Sequence, residues 1–216
     1  MNINIEVKKR KVQELVKDVN EEVRKKIVEL EELKKNLQDG TKDLDVEQDD
    51  TEIEYLIQDA EEYLEFALFH KRYSFPNTLG LNPNDFSSFD EMEKEVAKRC
   101  VVYSKIHLLD HSGLQFSTSS FNDPWDSGCL GFIGITKEAV KKIHGKYTKA
   151  LAKKVFNDTL DNWIKAMQGE IYLVGIKDLD IWISADDPYD KKVIEKVVEE
   201  IDVKIAELKD SLVEER

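Results

Sequence analysis

Residues 108 to 136 read LLDHSGLQFSTSSFNDPWDSGCLGFIGIT and bring Asp110, His111, Asp123, Asp126, Cys129 and five serines into one short stretch. His111 between Asp110 and Ser112 supplies the residue types of a serine hydrolase. The set Asp110, His111, Asp123 and Asp126 offers oxygen and nitrogen donors for a divalent metal. A triad, however, needs the imidazole within hydrogen-bond reach of the hydroxyl and a carboxylate behind it. Adjacent residues in extended backbone point to opposite faces, which works against that geometry. The chain has no Gly-x-Ser-x-Gly elbow, no His-Glu-x-x-His, no Walker loop and no dinucleotide glycine fingerprint. Residue types are present without a legible arrangement of roles.

A structural reading accounts for the same letters. Asp110-His111-Ser112-Gly113 is predicted to be a turn in which Asp110 accepts a hydrogen bond from the backbone two residues on and Gly113 takes a positive φ. Asn122 to Gly128 is expected to be a compact loop: Pro124 fixes one φ, Asp126 ties down nearby amides, and Trp125 fills a gap in the core. On this reading the loop is buried and self-satisfied. His70 and His111 are expected to be hydrogen-bonded structure rather than a ligand pair, and Cys129 a packed thiol, so neither a metal site nor a cofactor is expected.

The elements that position this stretch follow from periodicity. Apolar residues at Val12, Val16, Val19, Val23, Ile27, Leu30, Leu33 and Leu37 form one narrow stripe, ended by Gly40 as a C-terminal cap. Ile194, Val197 or Val198, Ile201, Ile205, Leu208 and Leu212 repeat it, with Asp187-Pro188 as the expected start. Such coiled-coil-like seams require a partner. Pairing within the chain is favoured, with a homodimer as the competing account. Between them, an acidic linker becomes an apolar-striped helix from Ile53 to Leu64, and a helix capped by Ser88 or Asp90 follows a Pro/Asn loop. CVVYSKIHLLD, LQFSTS and CLGFIGIT read as strands. KEAVKKIHG reads as a helix capped by Thr136 and closed by Gly145. A longer helix buries Phe156, Leu160 and Trp163, and EIYLVGI with DIWIS makes a hairpin in which Trp182 is core. The expected fold is α+β with a mostly antiparallel sheet, packed helices and long terminal helices. Composition divides it into 1–62, 63–186 and 187–216.

Charge is unevenly spread over the 216 residues, whose net is −13. Residues 41 to 66 hold one basic and 11 acidic side chains, while residues 67 to 177 hold 15 basic and 12 acidic. The acidic run Asp43, Asp45, Glu47, Asp49, Asp50, Glu52 and Glu54 reads as solvated surface, or as a mimic of a nucleic-acid backbone that occupies a basic groove. Direct nucleic-acid binding is disfavoured, because phosphate affinity comes mainly from Lys and Arg. No membrane-spanning run and no signal-peptide pattern is visible, and the two cysteines do not read as a redox or metal pair, so a cytoplasmic setting is expected.

The central segment resembles the signature of a family of uncharacterised bacteriophage and mobile-element proteins, with the pattern DHSG…ST…F…PWDSG…GFI followed by T/S-K-E. Here it is carried by Asp110-His111-Ser112-Gly113, Ser117-Thr118, Phe121, Pro124 to Gly128, Gly131-Phe132-Ile133 and Thr136-Lys137-Glu138. His70 and Tyr73 resemble an upstream strand of that family, with Leu68 standing where its pattern has cysteine; Gly169 and Tyr172 resemble a downstream hairpin. The likeness spans residues 63 to 184. It implies a phage or mobile-element origin, and phage proteins of this size without a catalytic signature often act by binding host proteins. The expected function is inhibition of a host defence component, such as a nucleic-acid-guided or restriction nuclease, through the acidic run and Trp125. The expected partner is a host protein with a basic surface. Two alternatives stand beside it: a metal-dependent or serine hydrolase of a nucleotide or signalling molecule using Asp110, His111, Asp123 and Asp126, and a homodimeric assembly protein.

Overall fold

In a computed structural model the described residues are 3–212, with side chains from Arg10 onward. The first two and last four positions of the segments 1–62 and 187–216 lie outside them. The fold is α+β with two antiparallel sheets, and contacts divide the chain into two compact units, 1–47 with 172–216, and 48–171.

The first unit joins the chain ends. Helix α1 (Ile3–Gln38) and helix α6 (Lys191–Asp210) pack together, antiparallel, as the crossed ion pairs Lys34–Asp202 and Lys209–Glu31 require. Ile27, Leu30 and Leu37 meet Val197, Ile201 and Ile205 in one buried cluster, so pairing within the chain satisfies most of the two stripes. The exception is the early part of α1, where Val12, Leu15 and Val19 are exposed. A helix of 20 residues cannot cover one of 36. Strand β1 (Asp45–Gln48) lies beside β6 (Tyr172–Ile176), which pairs with β7 (Ile181–Ala185). By contacts this hairpin belongs with the terminal helices rather than with the middle of the chain. The start expected for α6 is corrected: Asp190 caps it through Lys192 N at 2.9 Å. Asp187 instead accepts from Tyr189 N at 2.9 Å, holding Pro188 in a preceding turn.

The second unit carries the central segment. Its sheet has the order β2 (Glu65–Leu68), β5 (Ser127–Ile135), β3 (Val102–Asp110), β4 (Leu114–Ser117). Helices α2 (Asp50–Tyr63), α4 (Lys137–His144) and α5 (Lys149–Gln168) cover one face, where Phe66, Ile106, Ile133, Phe156 and Trp163 are buried together. On the other face α3 (Phe89–Arg99) buries Met92 and Val96 against Phe132. Ser88 caps α3, Thr136 caps α4 and Gly145 closes it in the left-handed conformation, as their side-chain chemistry predicts. The expected acidic linker is in part ordered structure: β1 is followed by Asp49, whose carboxylate accepts from Glu52 N at 3.0 Å and starts α2.

A β-bulge interrupts β5. Ile106 pairs with Gly131 but His107 with Cys129, which leaves Leu130 as an extra residue. CLGFIGIT is apolar without alternation because both faces of β5 are covered, Ile133 and Ile135 entering one cluster and Phe132 the other, and the bulge adds Leu130 to the first. Gly131 has φ +144, and a Cβ there would lie 2.0 Å from the Ala67 carbonyl oxygen. Only glycine fits that contact.

Candidate functional site

One end of the four-stranded sheet gathers residues far apart in sequence. Beyond β2 run His70, Arg72 and Tyr73; the β3–β4 turn carries Asp110 and His111; and the loop into β5 carries Asp123, Trp125 and Asp126. Pairing of Leu109 with Ser127, and the bond from Asp110 N to Asp126 O at 2.8 Å, bring the last two groups together. Phe69 N donates to Leu130 O at 2.8 Å and adds the first.

The bonds differ from those expected. The Asp110 carboxylate does not fold back on its own turn. It forms an ion pair with Arg72 and accepts from Tyr73 Oη at 3.4 Å. The turn instead relies on two residues of positive φ, Ser112 at 54° and Gly113 at 151°. Asp126 is not the residue that ties down amides; Asp123 is, accepting from Trp125 N at 2.8 Å and from Asp126 N at 2.9 Å, while Ser127 Oγ donates to the Asp123 carbonyl. These bonds hold the Asp123 carboxyl below the usual carboxylate range. Asp126 is thereby free to bind His111 Nδ1 at 2.8 Å. That hydrogen bond, and then the carboxylate charge, raise the His111 pKa above 6.5.

Trp125 gives the largest correction. It fills no core gap: it is 91% exposed. The loop beneath it is fixed by the Asp123 bonds and by the His111–Asp126 pair, so the indole is presented from an ordered base. Beside it lies a shallow cavity of about 220 Å³, lined by His70, Arg72, Asp110, Trp125, Asp126 and Cys129. His70 stacks on Tyr73 with ring centroids 4.9 Å apart, and its Nδ1 accepts from Arg72 N at 3.2 Å. Burial pushes the Cys129 thiol pKa up, which leaves it a poor nucleophile. No group of three or more His, Cys, Asp or Glu among the described residues is disposed to hold a metal ion. Compared with known proteins, the chain matches no family model, no curated protein and no solved structure.

The acidic run separates into two kinds of residue. Asp43, Asp45, Glu47, Asp50 and Glu54 are exposed, Glu52 is half-buried and Asp49 is buried. Asp45 accepts from Lys177 N at 2.9 Å, and Glu47 pairs with Lys177 Nζ at 2.9 Å. Asp49 is a helix cap. Arg72 and Tyr73 are site residues that sequence reasoning did not select, for the sequence holds no local signal of the 38 residues that Arg72 spans to reach Asp110. Trp163 is core as expected, while Trp182 is only half-buried. No described helix is long and apolar enough to cross a membrane.

Proposed function

We propose that this chain is a non-enzymatic interaction protein that seats Trp125 in a partner, with the exposed carboxylates of residues 43 to 54 contributing long-range attraction. The 91% exposure of Trp125 on a hydrogen-bonded loop carries the reading. An aromatic displayed from an ordered loop requires no ordering of its backbone on binding, and such residues dominate interface energetics. The charge of the acidic run favours a basic surface on the partner. The resemblance to phage and mobile-element proteins supports a host defence component, such as a nucleic-acid-guided or restriction nuclease, as that partner, and with it action inside the host cell.

The test is retention of host proteins by the tagged chain, its Trp125→Ala variant, and a variant with Asp43, Asp50 and Glu54 changed to Asn, Asn and Gln. A partner held by the wild type, weakened by salt and by both variants, is expected. A partner held equally by Trp125→Ala refutes the reading. A second reading, hydrolysis with His111 as general base, is favoured by the His111–Asp126 pair, which reproduces the base and orienting carboxylate of a triad. Turnover of a nucleotide or ester that His111→Ala abolishes in a folded protein would replace the binding account.

A further inference from the structure

The most basic stretch of this acidic chain, residues 137 to 154, holds seven lysines against one carboxylate, Glu138. Two of the lysines, Lys149 and Lys153, lie one turn apart on α5, are exposed, and make no ion pair among the described residues. They border a groove of about 490 Å³ that runs between α5 and the start of β3.

The far wall of that groove is open backbone. Strand β3 pairs with β5 from Val102 to Leu109, but β4 covers its opposite edge only from His107 to Asp110. From Val102 to Ile106 that edge has no strand beside it among the described residues. At about 3.3 Å per residue it is roughly 17 Å long. Strand β4 would have continued along it, yet Ser117 Oγ accepts from Ser119 N at 3.0 Å and the chain turns away at Thr118. The groove floor is apolar, formed by Val102, Phe156 and Leu160, with Ser104 and Asn157 supplying polar groups.

We propose that this groove binds an extended acidic peptide segment of a partner protein by strand addition, the segment taking the line that β4 vacates. An open edge supplies main-chain hydrogen bonds without regard to sequence. Alternate side chains of the added strand face α5, where the apolar floor takes β-branched or aromatic residues and Lys149 and Lys153 take carboxylates. Charge complementarity selects an acidic occupant: these lysines have no internal carboxylate to satisfy them, whereas Lys142 on α4 and Lys154 on α5 pair with Glu62 and Asp158. This surface is distinct from the Trp125 loop and stands or falls independently of it.

The test pans a random decapeptide library displayed on particles against the intact protein, then measures selected peptides by fluorescence anisotropy and amide exchange. Enriched peptides are expected to carry apolar residues and Asp or Glu together at every second position, the set that faces α5, and to bind about tenfold more weakly to Lys149→Glu/Lys153→Glu, while Lys149→Arg/Lys153→Arg retains binding. Exchange of the amides between Val102 and Ile106 should slow on binding, which a contact through side chains alone would not produce. No enrichment over an unrelated protein, equal binding to the double glutamate variant, or unchanged exchange would overturn the proposal. So would a dimer in solution whose 102–106 amides are already protected, since a second copy would then fill the edge.

Discussion

At the scale of single residues, the exposed loop is maintained by a division of labour between two carboxylates three positions apart. Asp123 accepts from backbone and Asp126 binds an imidazole; exchanging either for an amide should therefore have different effects. Asp126→Asn should return the His111 pKa towards 6.5, measured by NMR titration of the ring, because the hydrogen bond and charge that raise it are lost. The sign follows from linkage. A histidine whose folded pKa is raised contributes stability fully present below its unfolded value near 6.5, and that contribution disappears as pH rises through the folded pKa. Order in the loop, followed by Trp125 fluorescence, should thus loosen above that range in the wild type and show no such step in Asp126→Asn. Trp125→Ala should leave thermal stability within about 0.5 kcal/mol of the wild type, since the side chain packs on little, yet weaken partner binding by about 2 kcal/mol or more. The positive φ of Gly113 in the neighbouring turn was legible, but the amide-binding role of Asp123 was not, since Asp126 offers the same carboxylate three positions on. Nor was the exposure of Trp125, because a lone tryptophan between two strands carries no sign of which side of the backbone faces the core.

At the scale of elements, the acidic run shows how one letter type can hide two roles. Asp49→Ala should cost about 1 kcal/mol through loss of the α2 cap, whereas Glu54→Ala, which removes the same charge from an exposed position, should cost little; a pair of denaturant titrations distinguishes them. Sequence reading could place Thr136 as a cap and narrow the α3 cap to Ser88 or Asp90, because each stands at the start of a helical stripe. Asp49 was obscured by six other carboxylates with equal claims. A second case is Trp163, wholly buried and with Nε1 lacking a hydrogen-bond partner. Trp163→Ala should cost about 3–5 kcal/mol. Trp163→Phe should cost markedly less, since the smaller ring also removes an unpaired donor; thermal denaturation of the two variants checks the order. The periodicities of α1, α5 and α6 were readable because each stripe is long enough to average over exceptions, and the eight-residue α4 was readable from its caps, Thr136 and Gly145. The four residues of β1 were not, since an exposed strand shows neither alternation nor an apolar run.

At the scale of the whole molecule, the chain ends and the middle form separate packing systems, the first with one buried cluster and the second with two, one on each face of its sheet. Ile201→Ala should therefore destabilise the helix pair by about 2–4 kcal/mol, with faster amide exchange in the paired parts of α1 and α6 and little change in β5; uniform acceleration across both clusters would contradict the division. Composition groups the 172–185 hairpin with the central strands in the segment 63–186, whereas its strands pair with β1 in a sheet of their own. Which sheet a hairpin joins depends on long-range pairing, which local pattern does not encode. The bulge at Leu130 has a consequence of its own. On its two sides, the residues of β5 that face α5 are even-numbered at Gly128 and odd-numbered at Gly131, Ile133 and Ile135. Removing the one extra residue would leave every facing intact on both sides while straightening the strand towards the Trp125 loop. The direction in which that loop points is thus set by a single codon, whose removal would also take the buried Leu130 side chain from the core.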